Sequence, residues 1–223
     1  MIIVMKKISK SLTIFLIALI SIFSANQSIA QVDIGADFMS RYVWRGGAYS
    51  NGPSIQPYMS YATGGEEDDF GFEIGFWGAY ANDSLADELD LYASLSYGPV
   101  GVTITNYIFP DITNGGNTKY FDSGIWEGMV GLELGPVSLT GGYFFEDGDT
   151  YIAGSVPLSE EVGFTLGLGD GFYTDSGDFE LIEVAVSYGK EIKITEDFSL
   201  PMSGNLIYNP SADQMYLVFG FSL

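Results

Sequence analysis

Two arginines, Arg41 and Arg45, are the residues of this chain whose type and spacing most clearly suggest chemistry. They are the only arginines in the sequence and lie four residues apart. On an extended strand this spacing puts both side chains on one face, together with Asp33 and Asp37. Guanidinium groups bind carboxylates through paired hydrogen bonds. The pattern therefore predicts a charged cluster on one face of the first strand.

Charged residues on later strands extend this cluster in the register that we predict. Asp90, Glu127 and Glu183 are expected near the same end as Arg45. Other charged residues are expected toward the opposite end, namely Asp33, Glu73, Glu133, Glu191 and Lys193. Rings of charged side chains select permeants in pores, so one interpretation is a constriction, and the excess of carboxylates would then favour cations. The equal alternative is an ion-pair network that fills and closes the lumen, the interior space of the barrel predicted below.

Composition excludes several other kinds of chemistry. The chain has no histidine and no cysteine, so a Ser/His hydrolase, the usual histidine metal ligand and a disulfide scaffold are all excluded. A formal charge of −21 argues against a nucleic-acid partner. Acidic loops at 146–149 and 170–178 could bind calcium, but neither has EF-hand spacing, and solvated loops are the favoured interpretation. We expect no enzyme activity, no metal and no cofactor.

The first 30 residues resemble a secretory signal. Lys6, Lys7 and Lys10 precede an apolar run at 12–23, and small residues around Ala30 suit cleavage before Gln31. An uncleaved membrane helix is the alternative, but the apolar run is short for a span. We therefore predict a signal peptide at 1–30 and one mature domain at 31–223.

The clearest structural signal is the alternation of apolar with small or polar residues from Phe179 to Leu223. Period-2 alternation is typical of strands with two different faces. A strand that continues to Leu223 leaves an edge that another strand must cover, and the first strand is the simplest partner. This pairing would close a barrel.

The same alternation predicts twelve strands in consecutive hairpins, and hence an all-β, antiparallel up-and-down transmembrane barrel. Three of the predicted strands lie within Phe179–Leu223, and the other nine cover 32–45, 54–62, 70–81, 88–97, 100–109, 124–134, 137–145, 151–158 and 162–168. Short turns such as Gly98-Pro99 and Gly135-Pro136 fall at one end. Longer loops, including 110–123, fall at the other, as in outer-membrane barrels.

Three observations favour lipid contact for the apolar face. The strand lengths suit a tilted membrane crossing, and the opposite face is rich in Gly, Ser, Thr, Tyr and acidic residues. Aromatic residues near strand ends also suggest two interfacial girdles: Tyr42, Trp44, Phe70, Tyr80, Tyr97, Trp126, Phe145, Tyr188, Tyr208 and Phe221. A soluble β-sandwich or a lipocalin-like barrel is the alternative. Trp77 and Phe144 fall on the polar face, where lumen packing is the interpretation.

Two stretches of the chain carry a family resemblance. Ser40-Arg41-Tyr42-Val43-Trp44-Arg45-Gly46, followed by Asn51-Gly52-Pro53-Ser54-Ile55-Gln56-Pro57, is similar to the start of the TorF-type porin family, known mainly from sequence. The Asn209-Pro210 loop before the last strand is similar too. The resemblance implies an exported bacterial outer-membrane barrel. Leu223 departs from the usual aromatic last residue, although Phe219 and Phe221 lie nearby.

These inferences together predict a porin of the Gram-negative outer membrane that passes small polar or cationic solutes by passive diffusion. The expected partners are outer-membrane lipid, the barrel-assembly machinery during insertion, and the solutes themselves. The competing hypothesis is a non-conducting barrel with a structural or surface-interaction role. Conduction through the lumen separates the two hypotheses.

Overall fold

The computed structural model of the protein describes residues 31–64, 70–83, 87–110 and 124–223. The predicted signal peptide at 1–30 and most of the predicted loop at 110–123 lie outside these residues. The strands are β1 Gln31–Met39, β2 Val43–Trp44, β3 Gly47–Ala48, β4 Ser54–Thr63, β5 Phe70–Ala81, β6 Glu88–Tyr97, β7 Val100–Ile108, β8 Ile125–Leu134, β9 Val137–Phe144, β10 Thr150–Pro157, β11 Val162–Gly169, β12 Glu180–Lys193, β13 Ser199–Asn209 and β14 Gln214–Ser222, with a 3₁₀ turn at Gly171–Tyr173.

Twelve of these strands form one closed antiparallel barrel in which each strand pairs with its neighbours along the chain. The predicted all-β, twelve-stranded up-and-down barrel is thereby confirmed. Only β2 and β3 lie outside the wall, where they form a separate small hairpin. Among the described residues, no helix is long and apolar enough to cross a membrane, a finding that concerns helices alone.

The first and last strands close the barrel, as the alternation predicted. Three residue pairs join β1 to β14, from Asp37 opposite Ser222 to Met39 opposite Gly220. Backbone hydrogen bonds extend this seam at both ends, between Ala36 and Leu223 at 2.9 and 3.0 Å and from the Ser40 amide to the Phe219 carbonyl at 2.8 Å. The seam is short because the chain leaves the wall after Met39.

The two ends of the barrel differ in their connections. Short turns after β6, β8, β10 and β12 lie at one end, which we call the turn end, together with Gln31 and Leu223. The hairpin of β2 and β3, the 3₁₀ turn and the β13–β14 connection lie at the other end, which we call the loop end. The predicted arrangement of short turns and longer loops is present in the described residues.

Side-chain polarity is inverted relative to a soluble protein. Large apolar residues face outward and are exposed, for example Ile34 at 72% and Leu217 at 70%. Their neighbours in sequence face inward, and these include Asp33, Thr105 and Glu127. Because successive strand residues point to opposite faces, a single period-2 pattern produces both surfaces.

Two local departures from the predicted strands bring apolar residues inside. The predicted first strand at 32–45 is wrong, because the wall strand ends at Met39 and residues 43–48 fold inward. Tyr42 and Trp44 consequently lie in the interior, not in an aromatic girdle. In β12 a bulge opposite Gly167 and Leu168 inserts one extra residue. It turns Ile182 into the barrel, where this side chain is fully buried.

The buried apolar core lies inside the barrel toward the loop end. Among the described residues it consists of three small clusters that the inward hairpin and neighbouring loop residues complete. Tyr42 and Ala79 form the first with Trp77, while Val43 packs against the third beside Ile207. The hairpin therefore contacts two separate parts of the wall, β5 on one side and β12 to β14 on the other.

Candidate functional site

The candidate site is the inward hairpin and the lumen beneath it. We call residues 40–53 the plug. β2 and β3 pair through Val43 with Ala48 and Trp44 with Gly47. The two residues at the tip, Arg45 and Gly46, have positive φ angles of 47° and 78°. A two-residue hairpin turn with both φ angles positive matches the natural twist of the strands.

Gly46 fixes the plug against the wall. A Cβ atom at this position would lie 2.0 Å from the Ile182 carbonyl oxygen, so only glycine allows the contact. The Asn209 side-chain amide also donates to the Gly46 carbonyl at 3.1 Å, within the buried interior. The bulge at Ile182 and the start of the β13–β14 connection thus position the tip of the plug.

Arg45 forms a buried ion pair with Glu127 of β8. Its Nη1 lies 2.5 Å from Oε1 and its Nη2 lies 3.0 Å from Oε2, so both guanidinium nitrogens donate to one carboxylate. Tyr107 donates a third hydrogen bond to Glu127 at 2.6 Å. The side chain of Glu127 is 0% exposed. A carboxylate so buried needs these donors to offset its lost hydration.

Aromatic rings enclose the guanidinium of Arg45. Its central carbon lies 4.2 Å from the ring centre of Trp44 and 4.4 Å from that of Tyr151. The guanidinium also donates to the Tyr173 hydroxyl and contacts the Met129 sulfur at 3.0 Å. Stacking on ring faces stabilises a cation that has lost its water. Arg45 is therefore held by charge, hydrogen bonds and packing together.

Trp44 joins the plug to rings from three other parts of the chain. Its ring centre lies 5.6 Å from Tyr107 of β7 and 6.5 Å from Phe144 of β9. The rings of Phe172 and Tyr173 from the 3₁₀ turn lie at 6.5 and 6.0 Å. Such pairs contribute about 0.5–1.5 kcal/mol each beyond simple burial. This aromatic cluster occupies part of the lumen at the loop end.

Tyr42 anchors the base of the plug against β5 and β6. Its hydroxyl donates to Glu88 at 2.9 Å, and its ring centre lies 5.3 Å from that of Trp77. The Tyr42 amide donates to the Ser50 hydroxyl at 2.8 Å, which ties the two arms of the plug together. These contacts explain why Trp77 lies on the polar face, for which lumen packing was the interpretation.

Two phenols of the loop end have perturbed acidities. Burial raises the pKa of Tyr49 to about 12, helped by the nearby Glu88 carboxylate. Burial also raises the pKa of Tyr173, although the neighbouring Arg45 acts in the opposite direction. Both phenols therefore stay protonated near neutral pH. In the described part of the chain, neutral rings thus surround the buried ion pair of Arg45 and Glu127.

Beneath the plug lies a cavity of about 480 Å³ within the lumen. Its wall combines aromatic rings with polar side chains: Trp77, Tyr92, Tyr107, Gln56, Ser94, Thr103, Thr105, Asn205, Asp90 and Arg41. Toward the turn end the inward residues are small. A Cβ atom at Gly131 or Gly189 would meet no atom within 4 Å, so the lumen is open there.

The residues of the predicted charge cluster lie in three places: around the plug, along the cavity beneath it and at the turn end. Arg45 and Glu127 pair directly, and Glu183 lies close by, accepting a hydrogen bond from Tyr151 at 2.8 Å. Asp90 and Arg41 both line the cavity. The prediction that Arg41 and Arg45 share a strand face with Asp33 and Asp37 is wrong, because both arginines belong to the plug.

The other predicted charges lie apart from the plug. Glu73 accepts from Tyr92 at 2.8 Å, Glu133 from Ser138 at 2.5 Å, and Asp37 from Ser222 at 2.6 Å. Glu191 and Lys193 are exposed on the part of β12 that pairs only with β13. Asp33 is exposed near the turn end. These residues do not form one ring in the described part of the barrel.

A second ion pair lies outside the lumen. Lys190 and Glu161 are 3.1 Å apart, and both side chains are about half exposed, at 54% and 45%. The hydrogen bond from Lys190 holds the pKa of Glu161 below its ordinary value. Exposed pairs of this kind contribute little to stability. The pair serves as a contrast to Arg45 and Glu127.

The acidic loops serve as hydrogen-bond acceptors within the loop end. Asp170 accepts from the Thr150 amide at 2.5 Å, and Asp149 accepts from the Phe172 amide at 3.2 Å. Among the described residues, no group of three acidic side chains is arranged to hold a metal ion. The loops at 146–149 and 170–178 thus help to position the 3₁₀ turn.

Several residues of the site were not singled out from the sequence. Tyr107, Tyr151 and Tyr173 surround the ion pair, yet each lies in an ordinary strand or loop pattern. One available signal was Arg45-Gly46-Gly47, since consecutive glycines mark a turn. The other was Trp77 and Phe144, whose large rings on a polar face suggest that something fills the lumen.

Comparisons with known proteins add little to this geometry. No family model matches the chain, and no curated protein matches it. A solved structure described as "Asymmetric conductivity of engineered proteins" aligns at 11% identity with a TM-score of 0.38, covering 87% of this chain and 99% of its own. The function therefore has to be inferred from the barrel's own residues.

Proposed function

We propose that the chain is an outer-membrane barrel that lets small polar solutes diffuse through its lumen and that the plug closes this path at the loop end. The observation that carries the proposal is the inverted polarity of the wall. Ile34 and Leu217 are exposed outside, whereas Glu127 is fully buried inside. Hydrocarbon is the solvent that suits such an outer surface.

Export and membrane insertion follow from the same proposal. We infer that residues 1–30 direct secretion and are then removed. The last strand, β14, carries Phe219 and Phe221 on its outer face, which suits recognition by the barrel-assembly machinery. The turn end, which holds Gln31 and Leu223, would face the periplasm, and the loop end would face outward.

Membership of the TorF-type porin family is part of the proposal. The residues that carry the resemblance, 40–46 and 51–57, include most of the plug and the start of β4. Trp44, Arg45 and Gly46 are the residues that pack, pair and turn at its tip. A shared motif would then have a shared physical role, because each of its residue types is needed to seat the plug.

The cation preference follows from the balance of inward charge. Arg45 is neutralised by Glu127, whereas inward carboxylates nearer the turn end, such as Glu73 and Glu133, accept hydrogen bonds from neutral hydroxyl groups. A lumen with an excess of negative charge favours cations. We therefore expect weak cation selectivity whenever the plug is displaced.

Single-channel recording in planar bilayers tests the proposal. The wild-type barrel should be closed for most of the recording, because the plug fills one mouth. Arg45→Met, which removes the ion pair but keeps an apolar side chain of similar length, should raise the open probability at least severalfold. Lys190→Met is the matched control, since it breaks the exposed ion pair and should leave the currents unchanged.

The second candidate is a non-conducting barrel with a structural or surface role. Its support is the packing of the plug, in which one guanidinium is held by a buried carboxylate and aromatic rings. Such a plug could be permanent. Folded wild-type and Arg45→Met barrels that both stay silent would favour this candidate and contradict the diffusion channel.

A further inference from the structure

We propose that the cavity beneath the plug binds a small zwitterion, a molecule with an ammonium group and a carboxylate. The inference rests on the proposed function, since it names the class of solute that the lumen accepts. It is carried by two groups that line one cavity: Asp90, whose Oδ1 atom has no hydrogen-bond partner, and Arg41, which has no ion-pair partner among the described residues.

Asp90 is a buried carboxyl group that shares a hydrogen bond with Glu88 but keeps one oxygen unsatisfied. It is 8% exposed, and its Oδ1 atom has no hydrogen-bond partner. A buried acceptor without a donor is costly, and in folded proteins it usually marks a place that a ligand or water completes. Because Asp90 lines the cavity, a donor that enters the cavity can reach it. An ammonium group offers three such donors.

Aromatic rings flank this carboxylate. In the sheet, Asp90 lies opposite Trp77 on β5 and opposite Tyr107 on β7, and both rings line the cavity. The Tyr107 hydroxyl is already engaged with Glu127 at 2.6 Å. The ring of Tyr107 is therefore the part of this side chain that can contact a ligand. A carboxyl group between two aromatic side chains suits an organic cation more than a hydrated metal ion.

Arg41 supplies the opposite charge. Its guanidinium makes a long hydrogen bond of 3.4 Å to the Asn51 carbonyl and lies 5.7 Å from the Tyr216 ring centre. No carboxylate of the described residues forms an ion pair with it, in contrast to Arg45. Guanidinium groups bind carboxylates with two parallel hydrogen bonds. A ligand carboxylate would therefore supply the ion-pair partner that Arg41 lacks. A ligand ammonium group would supply the donor that Asp90 lacks.

The size of the cavity limits the ligand. A volume of about 480 Å³ is within the usual range for small-molecule sites. It accommodates a molecule between an amino acid and a short peptide. Neutral polar side chains of the wall, among them Gln56 and Asn205, can hydrogen-bond the remainder of such a solute.

Calorimetric titration of the folded barrel in non-ionic micelles tests the inference. The probes are γ-aminobutyrate, n-butylammonium and butyrate, which share a four-carbon chain but carry two charges, only the cation, or only the anion. We expect γ-aminobutyrate to bind at least tenfold more tightly than either singly charged probe. Equal affinity for n-butylammonium and γ-aminobutyrate would overturn the zwitterion site.

Single substitutions test the contributions of Asp90 and Arg41 to binding separately. Asp90→Asn should weaken γ-aminobutyrate binding about tenfold or more, as should Arg41→Gln. Asp33→Asn is the matched control, because it removes an inward carboxylate near the turn end. Unchanged binding in both cavity variants would overturn the inference. If either variant fails to fold, Ser94→Phe, which fills the cavity, should abolish binding, and retained binding there would contradict the site.

The outcome is separable from that of the proposed function. Channels that conduct but show no binding of γ-aminobutyrate would overturn the zwitterion site alone. Barrels that bind the zwitterion with the predicted dependence on Asp90 and Arg41, yet never conduct after Arg45→Met, would contradict the diffusion channel alone. Heat-modifiable gel migration confirms that each variant tested is a folded barrel.

Discussion

Arg45 at the tip of the plug and Glu127 on β8 form a two-point ion pair, with nitrogen–oxygen distances of 2.5 and 3.0 Å. The two residues are 82 positions apart in the sequence, so the contact joins distant parts of the chain. It joins the inward hairpin to the wall at a point where the carboxylate has no access to solvent. The pair is the charged centre of the contact between the plug and the wall.

Breaking this pair from one side should be costly. Arg45→Met leaves a buried carboxylate without its counter-ion, and Glu127→Gln leaves a buried guanidinium, so each should lower the free energy of unfolding by about 3–5 kcal/mol. The double variant should recover part of this loss, giving a coupling energy of about 1–3 kcal/mol. Denaturant unfolding in micelles, followed by tryptophan fluorescence, measures all four proteins.

The exposed pair provides the control for that cycle. Lys190→Met and Glu161→Gln should show almost no coupling, because both side chains are about half exposed and water replaces their contact. Similar coupling energies in the two cycles would mean that Arg45 and Glu127 are not buried together as described.

Gly46→Ala should displace the tip of the plug. The added methyl group would lie 2.0 Å from the Ile182 carbonyl oxygen, and the φ angle of 78° also disfavours any residue with a Cβ. Channel openings should become more frequent and longer in bilayer recordings. Gly131→Ala is the control, since a Cβ there meets no atom within 4 Å. A Gly46→Ala barrel with wild-type currents would show that the plug tolerates this displacement.

Two neighbouring residues on β7 should tolerate a new charge to different extents. Ile104 faces outward and is 42% exposed, whereas Thr103 lines the cavity. In lipid, Ile104→Arg should destabilise the barrel by about 2–4 kcal/mol if it lies near the bilayer midplane, and Thr103→Arg should cost much less. Folding yields in lipid vesicles, read from heat-modifiable migration, compare the two variants. Equal tolerance would contradict lipid contact by the outer face.

The wall of the barrel could be predicted from the sequence because alternation continues along most of the strands up to each turn. The predicted bounds of β5 and β6, 70–81 and 88–97, match the structure, since an apolar outer face and a polar inner face repeat along each strand. The closing contact of β14 with β1 followed from the same pattern. Charge and composition also indicated an inward polar face.

The plug could not be predicted because its residues continue the alternation of β1. Tyr42 and Trp44 suit an interface with lipid as well as a packed interior, so periodicity alone does not reveal that the chain turns inward after Met39. The bulge at Ile182 has the same effect, because one inserted residue changes the face of a side chain without changing the composition. Long-range partners, not local patterns, decide both positions.

The most direct test of the account is the accessibility of a single cysteine beneath the plug. Since the chain contains no cysteine, Ser94→Cys places the only thiol in the lumen cavity. The variant is reconstituted in one orientation in vesicles, and a charged, membrane-impermeant thiol reagent is added to one side at a time. We predict labelling from the turn end only, and labelling from both ends when Arg45→Met is added. Labelling from the loop end while Arg45 is present, or none from that end after its replacement, would contradict a mouth closed by the plug.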